Sequence, residues 1–244
     1  MANVELLNPE EVKNLYKTWG NFAKVCYDSE GDSERIGKGC ARSGHTSGSR
    51  AVTMIFRITG YPRFVIDQMV RHEAGVCKNV QSFRYVSKDN FSYSIPVTIG
   101  NSIELMRKYD SFMESAANLY DDIKQHAIDN GETEERANEQ ARYVLPMSTT
   151  SAVTIGFDYE ALIHYMNMRL CVRTEDIHRQ LAKEIRKEVI KVLPDLESVL
   201  VPQCNRLMYC PEFKSCGAYP SKKQLQEYIE LGKKAKEKGC KSNV

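Results

Sequence analysis

The sequence predicts an α/β protein of the α+β type, a mixed sheet flanked by long helices, on three observations. A β-branched apolar run, AVTMIFRITG at 51–60, has the composition of a buried strand. Amphipathic periodicity runs from Ser102 to about Asn130 and returns in TEERANEQARYVLP, DYEALIHYMNMRL and TEDIHRQLAKEIRKEVIKVL. The 244 residues are 42% apolar and 27% charged, ordinary globular usage, with no internal repeat and no clear linker.

Each element has a local reason. The first twenty residues read as helical, because PEEVKNLYKTWG opens on Pro9 with acids in its first turn, the polarity the helix dipole favours. Asp28 to Arg50, rich in Gly, Ser and charge, reads as a long loop, and loops of that length are functional or disordered. After the 51–60 strand, YPRFVIDQMVRHEAG reads as a helix from Pro62 to Gly75, with Gln68, Arg71 and Gly75 in line on one face. FSYSIPVTIG suggests an irregular strand, and MSTTSAVTIGF a β segment or extended loop. Pro146 stops the helix that begins at TEERANEQ. VPQCNRLMYCPEFKSCGAYP is irregular and cysteine-bearing, and precedes a polar helix and a Lys-rich tail. These divisions predict one domain over 1–200 and a C-terminal extension over 201–244.

Charge narrows the function. Thirty-four basic residues against 32 acidic ones give a net charge of +2, which argues against a protein that neutralises phosphates along a nucleic-acid polymer and leaves room for one basic pocket. No apolar run reaches bilayer length, so no membrane partner is expected, and the N-terminus lacks the order of a secretory signal. The expected compartment is the cytoplasm, where the eight cysteines stay reduced and serve as thiols or metal ligands. Cys204, Cys210 and Cys216 are spaced Cys-x5-Cys-x5-Cys, a poor fit to the closer pairs of structural zinc. A fourth ligand, Cys240 or a histidine, is not indicated by spacing, so no metal is assigned; capping an interface, binding metal or packing all remain open for this segment.

The stretch QMVRHEAGVCKNVQSFRYVS gathers Arg71, His72, Lys78 and Arg84 around Glu73, Cys77, Ser82 and Tyr85. Arginine recognises phosphate through a fixed fork of donors. Arg71, Arg84, Arg142 and Arg169 all lie beside apolar or small residues, as arginines do when they snorkel at helix ends, and together as a phosphorylated ligand would select. Lys78 is a positive neighbour that could activate Cys77, although free cysteine is more often packed. No Gly-x-Gly-x-x-Gly follows a strand and no Walker loop is present, so any dinucleotide is held some other way.

With these residues in view the chain resembles the flavin-dependent thymidylate synthases. That family carries Arg-His-Arg, seven or eight residues, then a serine, commonly followed two residues later by Arg-Tyr. RHEAGVCKNVQSFRY supplies Arg71 and His72, the residues from Ala74 to Gln81, Ser82, Arg84 and Tyr85. The resemblance continues through SGHTSGSRAVTMIFRITGYPRFVIDQMV, ARYVLPMSTTSAV and YEALIHYMNMRL, over most of residues 20–200. It implies a homotetramer of α/β subunits with active sites shared between subunits, methylating dUMP to dTMP. FAD and NADPH would be the hydride source and 5,10-methylenetetrahydrofolate the carbon donor.

By the same resemblance, Gln68, Arg71, Ser82, Arg84, Arg142 and Arg169 hold the dUMP, with Ser82 and Arg84 coming from another subunit's loop. Arg169 and Ser82 are the implied catalytic residues, Arg169 facing the pyrimidine, where a cation stabilises developing negative charge. His45, Ser47, Arg71, His72, Glu73, Asp158 and His164 are implied for FAD. Five positions on the flavin side depart from the family pattern. Position 73 is Glu where the family has Arg, and position 50 is Arg where it usually has Glu. Asp158, Glu160 and His164 stand where it tends to have Asn, Arg and Asn. The first two suggest one ion pair with its charges exchanged, Arg50 with Glu73. Two alternatives stand beside the main reading: a one-carbon transferase for another pyrimidine nucleotide, such as a hydroxymethylase, and a non-catalytic nucleotide-binding relative.

Overall fold

The computed structural model describes residues 2–237. Strands β1 (Asn3–Leu6), β2 (Met54–Pro62), β3 (Val76–Val80) and β4 (Thr150–Phe157) form one sheet in the order β1-β2-β4-β3. The helices in chain order are α1 (Pro9–Lys13), α2 (Leu15–Lys24), α3 (Ser33–Ser43), α4 (Arg63–Met69), α5 (Val97–Gly100), α6 (Ile103–Asp129), α7 (Glu134–Ala141), α8 (Tyr159–Arg169), α9 (Asp176–Val192), α10 (Gln203–Leu207) and α11 (Lys222–Glu237). The chain divides into two compact units. One comprises the residues up to Asn8 with Thr53–Phe157, the other Pro9–Val52 with the residues from Asp158 on.

The sheet lies in the first unit, and all of its pairings are antiparallel, where a mixed sheet is expected from the sequence. The cause is the strand order: β4 inserts between β2 and β3 and runs against both, so β2 and β3, joined through α4, share a direction without pairing. Along β2, Met54, Phe56 and Ile58 are wholly buried while Arg57 is exposed, the period of two that a one-sided sheet imposes. Val153, Ile155 and Phe157 do the same on β4, and α4 packs on both strands. Gly60, at φ +74°, occupies the register shift between Thr59 and Tyr61, where a side chain would be strained. Phe91, Met113 and Ala116 form a second cluster that seats the 91–94 segment on α6. Tyr109 helps fix that seat by donating to the Ser94 carbonyl at 2.9 Å.

In the second unit α2 and α3 touch backbone to backbone. A Cβ on Gly37 would lie 1.9 Å from the Tyr16 carbonyl oxygen, and one on Gly20 would lie 1.7 Å from that of Ser33. Trp19 is buried beside them, edge-on to Tyr159 at 5.1 Å between centroids. Leu162, Tyr165 and Met166 of α8 and Leu181, Ile185 and Val189 of α9 supply the rest of this core.

Several expectations are corrected. The supposed loop from Asp28 to Arg50 contains α3, capped by Asp32, whose carboxylate accepts from the Arg35 N–H at 2.7 Å; the close seat on α2 overrides its poor composition. The N-terminus forms β1 before its helices. The helix expected over 62–75 ends at Met69, so Gln68, Arg71 and Gly75 do not share a helical face. Gly75, at φ +71°, turns the chain into β3. The long helix after Ser102 forms as predicted, with the Ser102 hydroxyl accepting from the Leu105 N–H at 3.3 Å. No helix among the described residues is long and apolar enough to cross a membrane.

Candidate active site

In the first unit the motif stretch is a turn between α4 and β3. Arg71 and Glu73 are exposed on it and His72 is half-buried, while Gln68 precedes it on the last turn of α4. Lys78 on β3 ties the turn down. Its ammonium donates to the Val70 carbonyl and, at 3.3 Å, to that of His72, and lies 3.7 Å from the Glu73 carboxylate. Cys77 beside it is exposed and faces Gly156 across the strand pair, which gives it a strand position rather than a nucleophile's setting.

The chain then enters a loop that carries Ser82 and Arg84. Arg63, Ser82 and Arg142 line one open cavity of about 280 Å³ with Val80, Gln81 and Phe83. The three polar donors come from the start of α4, the loop after β3 and the 3-10 turn after α7. Arg142 is exposed and its side chain makes no ion pair among the described residues. Arg63 donates to Asp67 at 2.8 Å and stacks over Phe83 at 5.4 Å. Lys88 covers the same ring at 4.5 Å and bonds Gln81 at 2.8 Å; burial lowers its pKa. Two guanidinium groups and a hydroxyl at one concavity suit a phosphate dianion.

Gln68, Arg71 and Arg84 do not line this cavity. Arg84 turns to α7, 2.5 Å from Glu135 and 3.1 Å from Glu139, and its backbone N–H donates to the Ser82 hydroxyl at 3.2 Å. The loop itself is anchored on α6: the Tyr120 hydroxyl accepts from the Lys88 N–H at 3.0 Å, and Lys124 donates to Ser87 at 2.7 Å.

In the second unit the turn 45–51 carries His45 and Ser47, both exposed. Gly48 lets this turn meet α2, since a Cβ there would approach the Trp19 ring to 2.7 Å, and the Trp19 indole donates to the His45 carbonyl at 3.1 Å. Arg50 does not pair with Glu73. Its Nε donates to Glu160 of α8 at 2.9 Å, while the Thr46 hydroxyl donates to the other Glu160 oxygen at 2.7 Å. The ion pair inferred from the sequence, Arg50 with Glu73, is therefore not the one that forms: Arg50 is held by Glu160, and Glu73 lies beside Lys78. The Thr46 bond, opposed by burial and reinforced by Arg50, lowers the Glu160 carboxyl pKa. A carboxyl lowered on folding stabilises the fold above its unfolded pKa and loses that contribution as pH falls through the lowered one. The clasp is thus complete at neutral pH.

Asp158 is buried and caps α8, its carboxylate accepting from the Ala161 N–H at 2.7 Å. His164 is exposed midway along α8, and Arg169 is half-buried in its last turn, where a cation suits the helix dipole. Sequence reasoning missed Arg63, the way Lys78 ties down the motif turn, and the pairing of Thr46 and Arg50 with Glu160. For Arg63 a signal existed, because a cation at the first position of a helix opposes the dipole and calls for another reason. The Lys78 and Glu160 contacts depend on turns that no periodicity reveals.

The model of the family described as thymidylate synthase complementing protein matches residues 10–195. The flavin-dependent thymidylate synthase of Nitratidesulfovibrio vulgaris is 32% identical over 242 residues, covering 91% of this chain and 97% of that one. That of Clostridium tetani is 31% identical, covering 92% and 96%. Among solved structures, a UMP/dUMP methylase, PolB from Streptomyces cacaoi bound with 5-Br dUMP, shares the fold with a TM-score of 0.56 at 19% identity, covering 79% of this chain and 91% of that one. Likeness of this extent takes in the motif turn, the cavity and the 45–51 turn alike, and places the chain in the flavin-dependent thymidylate synthase family.

Proposed function

We propose that the protein reductively methylates dUMP to dTMP, with 5,10-methylenetetrahydrofolate as carbon donor and FAD recharged by NADPH, as a cytoplasmic homotetramer. Family membership over nearly the whole chain supports this reading, and the convergence of Arg63, Ser82 and Arg142 on one cavity carries it. In this reading Arg142 and Arg63 take the 5′-phosphate with the Ser82 hydroxyl. Gln68 and Arg71 complete the grip from a neighbouring subunit, together with Arg84 from the loop that carries Ser82. Arg169 faces the pyrimidine and stabilises negative charge developing on the ring. Residues 1–200 form the catalytic part and 201–244 an extension, consistent with the end of the family match at 195.

The donor set of the second unit fits a flavin dinucleotide: an exposed imidazole, hydroxyl and guanidinium, at His45, Ser47 and Arg50, lie on one turn. Arg71, His72 and Glu73 add the motif turn, His164 adds α8, and Asp158 contributes by capping that helix. When bound, the flavin supplies the hydride that completes the methyl group. Glu160 holds the His45–Ser47 turn through Thr46 and Arg50. Reversing either charge alone, in Arg50→Glu or Glu160→Arg, is expected to weaken flavin binding several-fold. That is the scale of about 1 kcal/mol for an exposed pair. The double reversal is expected to recover most of the loss. Flavin titration of all four proteins reads this out, and a double variant no better than the weaker single one would remove the clasp from the account.

An exposed apolar stripe on α6 supports assembly into a tetramer. Leu105, Phe112 and Leu119 of α6 are exposed and recur every seven residues, which keeps them on one face of the helix. Phe112→Lys is expected to shift the assembly to smaller species in light scattering and to lower activity with it, since shared sites come apart. Unchanged mass would place the interface elsewhere.

An absorption spectrum of the purified protein, repeated with dUMP, tests the reaction's setting: flavin bands that shift on adding nucleotide are expected. Tritium release from position 5 of labelled dUMP, with dTMP identified by mass, tests the chemistry. Release with a hydroxymethyl product would convert the assignment to a hydroxymethylase, and a colourless protein that binds dUMP without turnover would leave only a binding module.

A further inference from the structure

The C-terminal segment holds chemistry that the proposed reaction does not use. Cys204, Cys210 and Cys216 line one cavity of about 170 Å³, and the fold adds a fourth thiol to the same lining, Cys171, from the turn that follows α8. Cys171 lies outside the five-residue spacing of the other three, so spacing alone could not reveal it. The cysteines' neighbourhood is built to present sulfur. Cys210 is buried, its N–H donates to the Pro220 carbonyl at 2.7 Å, and it forms a parallel bridge with Ser221, closing the 211–219 loop at its base. Cys216 is exposed and followed by a turn at Gly217, φ +89°.

We propose that Cys171, Cys204, Cys210 and Cys216 form a structural zinc site that staples the 201–221 segment to the end of α8. Four thiolates and no open position are the ligand set of a closed tetrahedral zinc site. Zinc with four thiolates carries a net charge of about −2, and Arg173, lining the same cavity, brings a cation to it while paired with Glu212 at 3.0 Å. Asn167, buried in the same lining, has a side-chain oxygen with no hydrogen-bond partner among the described residues. The segment has little else to hold it, having one short helix and a run of bends between Leu200 and α11. Among the described residues no three His, Cys, Asp or Glu side chains stand close enough to hold a metal ion, so the proposal requires the four sulfurs to draw together on binding. Binding releases the thiol protons to solvent and couples metal to folding. The consequence for function is mechanical: the staple sits two residues beyond Arg169.

The test is the metal content of the full chain, purified without chelator and measured by plasma mass spectrometry. About one zinc per protomer is expected, the complement of a four-sulfur site, released to a chromogenic chelator when a mercurial titrates the thiols. Cys204→Ser and Cys210→Ser are expected to lose the zinc, whereas Cys26→Ser and Cys240→Ser keep it. Should the first two variants be insoluble, thiol reactivity of the unmodified chain decides: stripping zinc should expose the four thiols to Ellman's reagent, and restoring it should protect them. A metal-free protein whose thiols react alike with and without added zinc would overturn the proposal. So would iron in place of zinc, a disulfide among the four cysteines in non-reducing peptide maps, or loss of the metal in Cys240→Ser.

Discussion

Gly37→Val is expected to destabilise the protein by about 3 kcal/mol or more, at or beyond the upper end for overpacked sites. The position admits no side chain, because a Cβ would stand 1.9 Å from the Tyr16 carbonyl oxygen and 3.1 Å from the Gly20 nitrogen. Both neighbours are backbone, so no rotamer change relieves the clash, and α2 must move away from α3. Moving α2 opens the packing around Leu15 and Trp19, which are buried, and shifts the turn that Gly48 seats against Trp19. Against a total stability of about 5–15 kcal/mol, the loss is visible as a lower denaturation midpoint and as poor recovery of soluble protein. Gly39 provides the control on the same helix. A Cβ there meets nothing within 4 Å, so Gly39→Ala is expected to gain about 0.5–1 kcal/mol from helix propensity. Equal midpoints for Gly37→Val and the unmodified protein would show that α2 and α3 do not pack in this way.

Arg142→Ala is expected to raise the Kd for dUMP roughly 30- to 150-fold, the equivalent of about 2–3 kcal/mol for a charge-assisted hydrogen bond. Unlike Arg63 and Arg84, which have carboxylate partners at 2.8 Å and 2.5 Å, Arg142 makes no ion pair among the described residues and keeps its charge for a ligand. For the same reason its removal should leave the thermal midpoint nearly unchanged, which separates binding from folding. Arg142→Lys should recover only part of the affinity, because an ammonium keeps the charge and loses the planar fork. Affinity should also fall with added salt in the unmodified protein more steeply than in Arg142→Ala. Calorimetry on the three proteins measures all of this, and a Kd within twofold of the original for Arg142→Ala would move the phosphate away from this cavity.

Local patterns already contained much of the fold. The strand at AVTMIFRITG, the long helix after Ser102 and the helix ended ahead of Pro146 follow from periodicity, capping and proline, which act over a few residues and survive any packing. The charge reversal at Arg50 was legible as chemistry too, although the pairing drawn from it, with Glu73, is not the one that forms. What it lacked was the partner: Glu73 stands nearer to Arg50 in sequence, but Lys78 occupies it, and the bond to Glu160 spans 110 positions.

By itself, then, the sequence determined the family, the element types and the arginine-rich chemistry of the site, because motifs and hydrophobic periods are encoded in neighbouring residues. Only the tertiary structure decided that the Asp28–Arg50 stretch is largely helical, that Arg63 joins Ser82 and Arg142, and that Cys171 joins the three C-terminal cysteines. Each of these depends on a close approach between distant segments, and the free energy of such an approach resides in packing, which no local pattern records.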